Sequence, residues 1–241
     1  MALGKLVAAI VGGALVVRVA RSRHQRFMHP SGRSFAGDLE IFGRGEPGGS
    51  ALLSEPARHD VTVRLSKGLG TRGGRADVRG LAVRVHLPSG PLDLLLSTAG
   101  RGPVTRHLPV PRRSFDTMYG SITAYRTGSG RKLYVAARPD PAGPPLGRSL
   151  ESLAPGNRLL LAVRHRGVGR TVGRVTLGQE LPPPVDAGLA FDAVRNSRSD
   201  LHPSGLVHGV RAFAYRQSQR WRGAVPASPD HDAVARTISR R

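Results

Sequence analysis

Residues 81–96 read LAVRVHLPSGPLDLLL, and this stretch decides the fold class. Leu81 to Leu87 alternates between apolar and other residues, which is typical of a β-strand with one buried face. Leu92 to Leu96 is a second run of strand length, and Pro88-Ser89-Gly90 lies between the two. A Pro/Ser/Gly turn between two such runs predicts a β-hairpin, and therefore an antiparallel sheet.

Similar short runs occur on both sides of this hairpin. They are Asp38 to Phe42, Val61 to Leu65, Lys132 to Ala137, Arg158 to His165 and Gly173 to Leu177. Turns rich in proline or glycine separate them, and Gly68 to Gly74 is interpreted as a plain connection. Many short strands with few helices predict one domain built on an antiparallel sheet or barrel. Helices are predicted over Leu146 to Leu153 and Leu206 to Arg222.

The composition restricts the function. The chain has 241 residues, no cysteine and a formal charge of +21 that is carried almost entirely by arginine. Without cysteine there is no disulfide, no thiolate metal site and no thiol nucleophile. The arginine-, alanine- and glycine-rich composition is typical of GC-rich bacterial genomes. The charge fits a solvated arginine-rich surface, which the even spread of the arginines favours, and it is also compatible with acidic ligands or anionic lipid. An aromatic content of 5% disfavours nucleic acid, which needs stacking platforms.

Motifs for hydrolytic chemistry are missing from the sequence. It contains no HExxH, no GxSxG and no phosphate-binding loop of the GxxxxGK[ST] type. The 16 acidic residues are scattered, so they do not form the cluster that a two-metal hydrolase needs. A phosphodiesterase or another hydrolase is therefore not supported.

The N-terminal segment, residues 1–22, contains the apolar run Leu6 to Val17. This run has 12 residues, whereas a transmembrane helix needs roughly 20. It fits a short membrane anchor, a signal-like segment, or a helix that packs on the domain or on a partner subunit. The arginines that follow it favour an anionic lipid surface. We expect a cytoplasmic protein that associates with a membrane, if at all, through this segment.

Two distant stretches carry candidate chemistry. Residues 26–41, RFMHPSGRSFAGDLEI, place one histidine, His29, among glycine and serine residues. Near the C terminus, Arg211, Tyr215 and Arg222 share a face of the predicted helix. An arginine beside a tyrosine stabilises phenolate, which is one of the axial ligands of haem iron. From these stretches alone, a polar loop and an ordinary amphipathic helix remain open alternatives.

Four stretches, in this order, resemble motifs of the haem catalase superfamily. Residues 26–41 resemble its distal loop, R-x-x-H-x-x-G-x-x-x-x-G-x-x-E-[VI], and residues 63–66, VRLS, resemble its V-R-F-S strand. Residues 77–82 resemble its D-x-R-G-x-A pattern, which Asp93-Leu94 completes. Residues 211–222 resemble its proximal helix, R-x-F-x-Y-x-x-x-[H]-x-x-R. The matches span the chain from about residue 23 to residue 223.

The resemblance implies a haem b cofactor and assigns residues to it. Tyr215 would be the proximal ligand of the iron, and Arg211 would hold Tyr215 as phenolate. Guanidinium groups bind carboxylates through two parallel hydrogen bonds, which suits the haem propionates. The arginines implied for that task are Arg26, Arg64 and Arg222.

On the distal side, the resemblance implies that His29 moves a proton between the peroxide oxygens. Ser66 would donate or accept a hydrogen bond that orients this imidazole. Thr98 stands where the family has an asparagine that assists the peroxide. A threonine hydroxyl offers no amide NH2, so fast disproportionation of hydrogen peroxide is not implied.

The implied architecture is an α+β fold with an antiparallel β-barrel core of the catalase type. A few peripheral helices are expected, without the C-terminal helical domain of full-size catalases. The haem-binding domain would cover residues 23–223, and residues 224–241 would form a mobile tail. The interlocked catalase tetramer is not implied, while a dimer is compatible.

The expected activity is that of a haem oxidoreductase of the catalase or peroxidase kind. Its substrate would be hydrogen peroxide or an organic or lipid hydroperoxide. Two alternatives stay open: a haem-binding protein without turnover, and a haem-free relative that binds anionic lipid or nucleic acid through its arginines.

Overall fold

The computed structural model describes residues 29–43, 50–100, 102–165 and 168–204. Within these ranges, ten strands join into one sheet in which every pair of neighbours is antiparallel. The strands are β1 Ser31–Ile41, β2 Ala57–Lys67, β3 Arg79–Leu87, β4 Gly90–Ser97, β5 Tyr119–Gly120, β6 Ala124–Thr127, β7 Lys132–Pro139, β8 Arg158–His165, β9 Val168–Glu180 and β10 Leu201–Ser204. The helical elements are short: α1 (Ala51–Ser54), α2 (Pro183–Gly188) and 3₁₀ turns at Thr105–His107 and Leu150–Ser152.

Eight of these strands close into a barrel. Neighbours follow the order β1, β2, β3, β4, β5, β7, β8 and β9, and β9 pairs with β1 to complete the ring. Strands β6 and β10 pair with each other and extend the sheet from β7. Closure removes the unpaired edges that an open sheet of this size would expose.

The barrel interior is apolar because alternate side chains of every long strand point inward. In β2 these are Val61, Val63 and Leu65, and the matching residues of β3 and β4 join them in one cluster that is almost completely shielded from solvent. The prediction from residues 81–96 is confirmed: β3 and β4 form a hairpin whose turn lies at Pro88 and Ser89, with Gly90 at a φ of +112°.

The outward-facing side of β1 to β4 is also buried, although it is polar. A segment that contains α2 and runs to residue 196 packs over it through a second apolar cluster, Ala36, Leu181 and Leu189, with Val185 and Phe191 against it. Arg84 and Asp93 form a fully buried ion pair beneath this segment, with 2.8 Å between Nε and Oδ1. Asp93 also accepts hydrogen bonds from the Asp192 amide and the Asn196 side chain.

Two sequence predictions need correction. The stretch around Asp38 was expected to begin a strand, but β1 begins earlier, at Ser31. The helix predicted over Leu146 to Leu153 is wrong. Gly147 has a φ of +80°, which no α-helix contains, and a single 3₁₀ turn follows. The apolar residues at both ends of this segment, Leu146 and Leu153, are buried as loop anchors instead.

Several predicted segments lie outside the described residues. They are the N-terminal segment 1–22, the helix Leu206 to Arg222 and the tail 224–241. Among the helices in the described part of the chain, none has the length and apolarity required to cross a membrane.

Candidate functional site

His29 has the backbone conformation of a residue held in place by its surroundings. Its φ is +60°, and no other described residue except glycine has a positive φ. This left-handed region is unfavourable for residues with a Cβ and clusters at functional sites. The His29 amide donates a hydrogen bond to the Gly68 carbonyl over 3.3 Å. The loop after β2 therefore fixes the backbone that carries this imidazole.

The imidazole of His29 lies against β2 and β3. Its Nδ1 is 2.9 Å from the Ser66 hydroxyl oxygen, which is within 3.5 Å of the Gly80 carbonyl as well. A Cβ placed on Gly80 would lie 2.4 Å from the imidazole Cε1. Gly80 is therefore required for this packing, because any side chain there would displace the ring. The contact between Ser66 and His29 that the resemblance implies is present.

Ser66 and Gly80 belong to a larger pattern, which we call the small-residue row. Its members are register partners on seven successive barrel strands: Gly32, Ser66, Gly80, Ser97, Gly120, Ala136 and Ala162. Directly paired residues project to the same face of a sheet. Their sequence neighbours Leu65, Leu81 and Leu96 point into the barrel, so the row crosses its outer face. It forms a surface without bulky side chains that begins beside His29.

Arg64 lies next to the row and is connected to His29. Its guanidinium covers Gly32, where an added Cβ would be 2.6 Å from Cζ. Arg64 Nη1 donates to the His29 carbonyl over 3.2 Å, and Nε forms an ion pair with Asp186 of α2 over 2.9 Å. Ser34 donates a short hydrogen bond to the same carboxylate. Arg64 is 4% exposed. An anionic ligand of Arg64 would therefore have to share its guanidinium group with the Asp186 carboxylate.

Two further cations continue the inward-facing residues Leu65 and Leu81 at the strand ends. Lys67 and Arg79 are register partners, and burial lowers the pKa of each, with the Arg79 charge lowering that of Lys67 further. The Arg79 guanidinium stacks on Phe115 at 4.4 Å and donates to four backbone carbonyls, those of Arg75, Arg112, Arg113 and Arg148. Its Nη1 has no hydrogen-bond partner in the described part of the chain. Asp77 lies close enough to both cations to oppose this lowering of their pKa values.

Thr98 directs its hydroxyl at backbone groups. The hydroxyl donates to the Val110 carbonyl over 2.7 Å and accepts from the Arg79 amide over 3.0 Å. A hydroxyl has one proton, so Thr98 has no donor left for a peroxide in this arrangement. Its catalytic role stays a prediction. On β4 the member of the small-residue row is Ser97. The sequence analysis did not select Ser97, although the alternation of side chains along β4 puts Ser97 and Leu96 on opposite faces.

The proximal half of the predicted site lies outside the described residues. It consists of Tyr215 and Arg211, and the propionate partners Arg26 and Arg222 lie outside as well. Of the predicted site residues, the structure brings together His29, Ser66 and Arg64. No three histidine, aspartate or glutamate side chains of the described ranges are grouped so that they could hold a metal ion.

No family model and no curated protein sequence matches this chain. Solved structures do resemble it. The crystal structure of a fungal catalase at 1.9 Å superposes with a TM-score of 0.65 at 17% identity, over 91% of this chain and 63% of that chain. Catalase A from Saccharomyces cerevisiae gives a TM-score of 0.58 at 16% identity, over 82% and 61%.

These likenesses define the fold. The barrel is an antiparallel β-barrel of the catalase type, as the sequence motifs predicted. The chain spans less than two thirds of the length of either catalase. At such identities the likeness extends to the fold alone, and the chemistry has to be argued from the residues.

Proposed function

We propose that this protein binds haem b and uses it to process peroxides. The observation that carries the proposal is the position of His29. A strained backbone holds it, Ser66 hydrogen-bonds its Nδ1, and Gly80 makes room for its ring. An unfavourable backbone conformation that the surrounding structure maintains is common at catalytic residues. The catalase-type barrel around it supports the same chemistry.

The described residues fit a flat, dianionic cofactor in two respects. The small-residue row provides a surface without bulky side chains beside His29. Arg64 supplies a buried guanidinium with donors suited to a carboxylate. Arg64, together with Arg26 and Arg222, would hold the propionates, and Tyr215 with Arg211 would hold the iron. Haem, when bound, supplies the redox-active iron at which the O–O bond of a peroxide is reduced.

The contribution of this chain is proton transfer. Ser66 contacts Nδ1 of His29, so we assign the proton exchange with a substrate to Nε2. Nε2 takes the proton from one peroxide oxygen and returns it to the other, which makes the departing oxygen a better leaving group. Ser66 keeps the ring in one orientation during this exchange.

One observation favours a slower reaction, or haem binding without turnover. The Thr98 hydroxyl donates its only proton to the Val110 carbonyl, so the distal side lacks the amide donor that the resemblance associates with catalases. Organic hydroperoxides depend less on such a donor if they are positioned by their carbon skeleton. We therefore place a peroxidase-like reaction ahead of rapid disproportionation of hydrogen peroxide.

Spectroscopy on the full chain tests the proposal. Reconstitution with haem b is expected to give a strong Soret band that Tyr215→Phe shifts or removes. His29→Asn keeps a residue type that tolerates positive φ. It is expected to retain the band while turnover falls by roughly 10²- to 10⁴-fold, the usual contribution of a general acid/base. Oxygen release compared with oxidation of a phenolic donor separates catalase from peroxidase. Absence of the Soret band would refute the proposal.

A further inference from the structure

A second feature of the outer face lies at the far end of the small-residue row. It is a cavity of about 40 Å³, which is room for roughly three water molecules. Gly120 and Ala136 of the row form part of its wall, and the side chains of Arg106, Met118, Tyr134 and Arg164 also line it. Two strand spacings separate Gly120 from Gly80, so the cavity begins about 10 Å from the His29 imidazole.

The cavity is bordered by two positive charges that no carboxylate of the described residues neutralises. Arg106 comes from the loop after β4 and Arg164 from β8. Neither forms an ion pair with any carboxylate of the described residues, whereas other arginines of the barrel do, as Arg64, Arg84 and Arg174 show. Two guanidinium groups at one small cavity attract an anion more strongly than either alone.

Tyr134 orients these charges. The Arg106 guanidinium stacks on the Tyr134 ring, 4.5 Å from its centroid, and Arg164 is the register partner of Tyr134. Stacking leaves the in-plane donors of an arginine available to a ligand. Arg106 Nε donates to the Gly102 carbonyl over 3.2 Å, which leaves the two terminal nitrogens for a carboxylate. His107 packs edge-on against the same ring and fixes its position.

Apolar side chains accompany the two arginines. Met118 lines the cavity and is 36% exposed, while Val104 and Leu108, on the loop that carries Arg106, are 75% and 54% exposed. The cavity itself admits only a group of carboxylate size. The remainder of a larger ligand would have to lie on the surface beside Met118. The surroundings therefore fit an anionic head with an apolar body, rather than an inorganic anion.

We propose that this cavity binds the carboxylate of an organic acid, with Arg106 and Arg164 as its ligands and the apolar part of the molecule against Met118. The site shares Gly120 and Ala136 with the small-residue row, but Arg106 and Arg164 are not among the residues assigned to haem. Its binding step does not depend on haem, so it can be tested on the protein without cofactor. If the proposed peroxide chemistry also holds, an acid bound here has its carbon chain on the same face as His29.

Calorimetric titration of the full chain with octanoate, in the absence of haem, tests the site. Saturable binding of one molecule is expected. Arg106→Gln and Arg164→Gln are each expected to weaken it about tenfold to a hundredfold, as for loss of a hydrogen bond to a charged group. Arg126→Gln is the matched control, because it removes the same charge from an exposed position on β6. It is expected to leave the affinity within twofold.

Two comparisons make the result decisive. Octanol, with the same chain and no charge, and inorganic phosphate, with charge and no chain, are both expected to bind at least tenfold more weakly than octanoate. Ala136→Leu fills the cavity without changing the charge and is expected to abolish octanoate binding while the thermal melt confirms folding. Equal effects of Arg126→Gln and Arg164→Gln, or phosphate binding as tight as octanoate, would show a general basic surface and overturn the proposal.

Discussion

Gly80 and Gly120 both belong to the small-residue row, but the space left by their missing side chains differs. At Gly80 the space is filled, because the His29 imidazole lies where a Cβ would be, at 2.4 Å. At Gly120 no heavy atom of the described residues lies within 4 Å of that position. The first glycine admits a side chain of the protein itself, and the second borders a cavity. One pattern of small residues thus provides both a packed site and an open one.

The two ends also differ in what covers them. The segment with α2 packs over the outer face of β1 to β4, on the side of His29, and the buried pair Arg84–Asp93 holds it there. The Gly120 end is bordered instead by the loop that carries Arg106. On the covered side Arg64 is 4% exposed and bonded to Asp186 of α2, and His29 is half-buried, whereas the other end borders the cavity.

The largest expected effect comes from removing the buried ion pair beneath the segment that contains α2. Asp93→Asn leaves the Arg84 charge buried without its counter-ion, which typically costs about 3–5 kcal/mol. It also weakens the acceptor for the Asp192 amide and the Asn196 side chain. We expect a loss of unfolding free energy of that size in a denaturant titration. Amides of residues 189–196 should exchange with solvent faster than those of the barrel strands.

Asp38→Asn is the control for this change, since it removes a carboxylate from an ion pair whose arginine, Arg58, is largely exposed. Such surface pairs contribute about 0–1 kcal/mol. If both variants lose the same stability, the buried pair does not hold the segment.

The second expected effect separates the two glycines directly. Gly80→Ala must displace the His29 ring and break its hydrogen bond to Ser66, which we expect to cost about 1–3 kcal/mol, as other overpacked sites do. Gly120→Ala adds the same methyl group into free space and should change stability by less than about 0.5 kcal/mol. Denaturant titration measures both, and the His29 imidazole resonances should shift only in Gly80→Ala. Unchanged resonances in Gly80→Ala would contradict the packing described here.

Much of the barrel was predictable, because burial of one face imposes an alternation that the sequence displays. The β3–β4 hairpin and the strands near Val61, Lys132, Arg158 and Gly173 were all confirmed. The pairing of β9 with β1 that closes the barrel was not visible, because register between distant strands is set by packing and not by local pattern. The helix predicted at Leu146 to Leu153 failed for a related reason. Its leucine spacing suits a helix, but Gly147 turns the chain.

Of the candidate site, the contact between His29 and Ser66 followed from the motifs, and the rest required three-dimensional register. No local feature of the sequence shows that Gly32, Gly80 and Gly120 line up across the barrel, since they are far apart in the chain. The ion pair between Arg64 and Asp186 spans 122 residues and was equally invisible. The motif comparison drew attention to Thr98, whereas register assigns the neighbouring Ser97 to the row.

That difference leads to the smallest expected effect and the finest test. Thr98→Val keeps the shape but removes the hydroxyl that serves Val110 and Arg79. We expect a loss of about 1–2 kcal/mol, because a buried amide and a partly buried carbonyl each lose a partner, with haem-dependent turnover unchanged. Ser97→Ala removes a hydroxyl whose 3.3 Å bond to the Arg79 carbonyl is weak. It should change stability by less than about 0.5 kcal/mol but alter turnover, because Ser97 shares the face of His29. The reverse outcome, with turnover sensitive to Thr98 and not to Ser97, would mean that Thr98 turns its hydroxyl toward the substrate when haem is bound. Ser97 and the row members beyond it would then have no part in turnover.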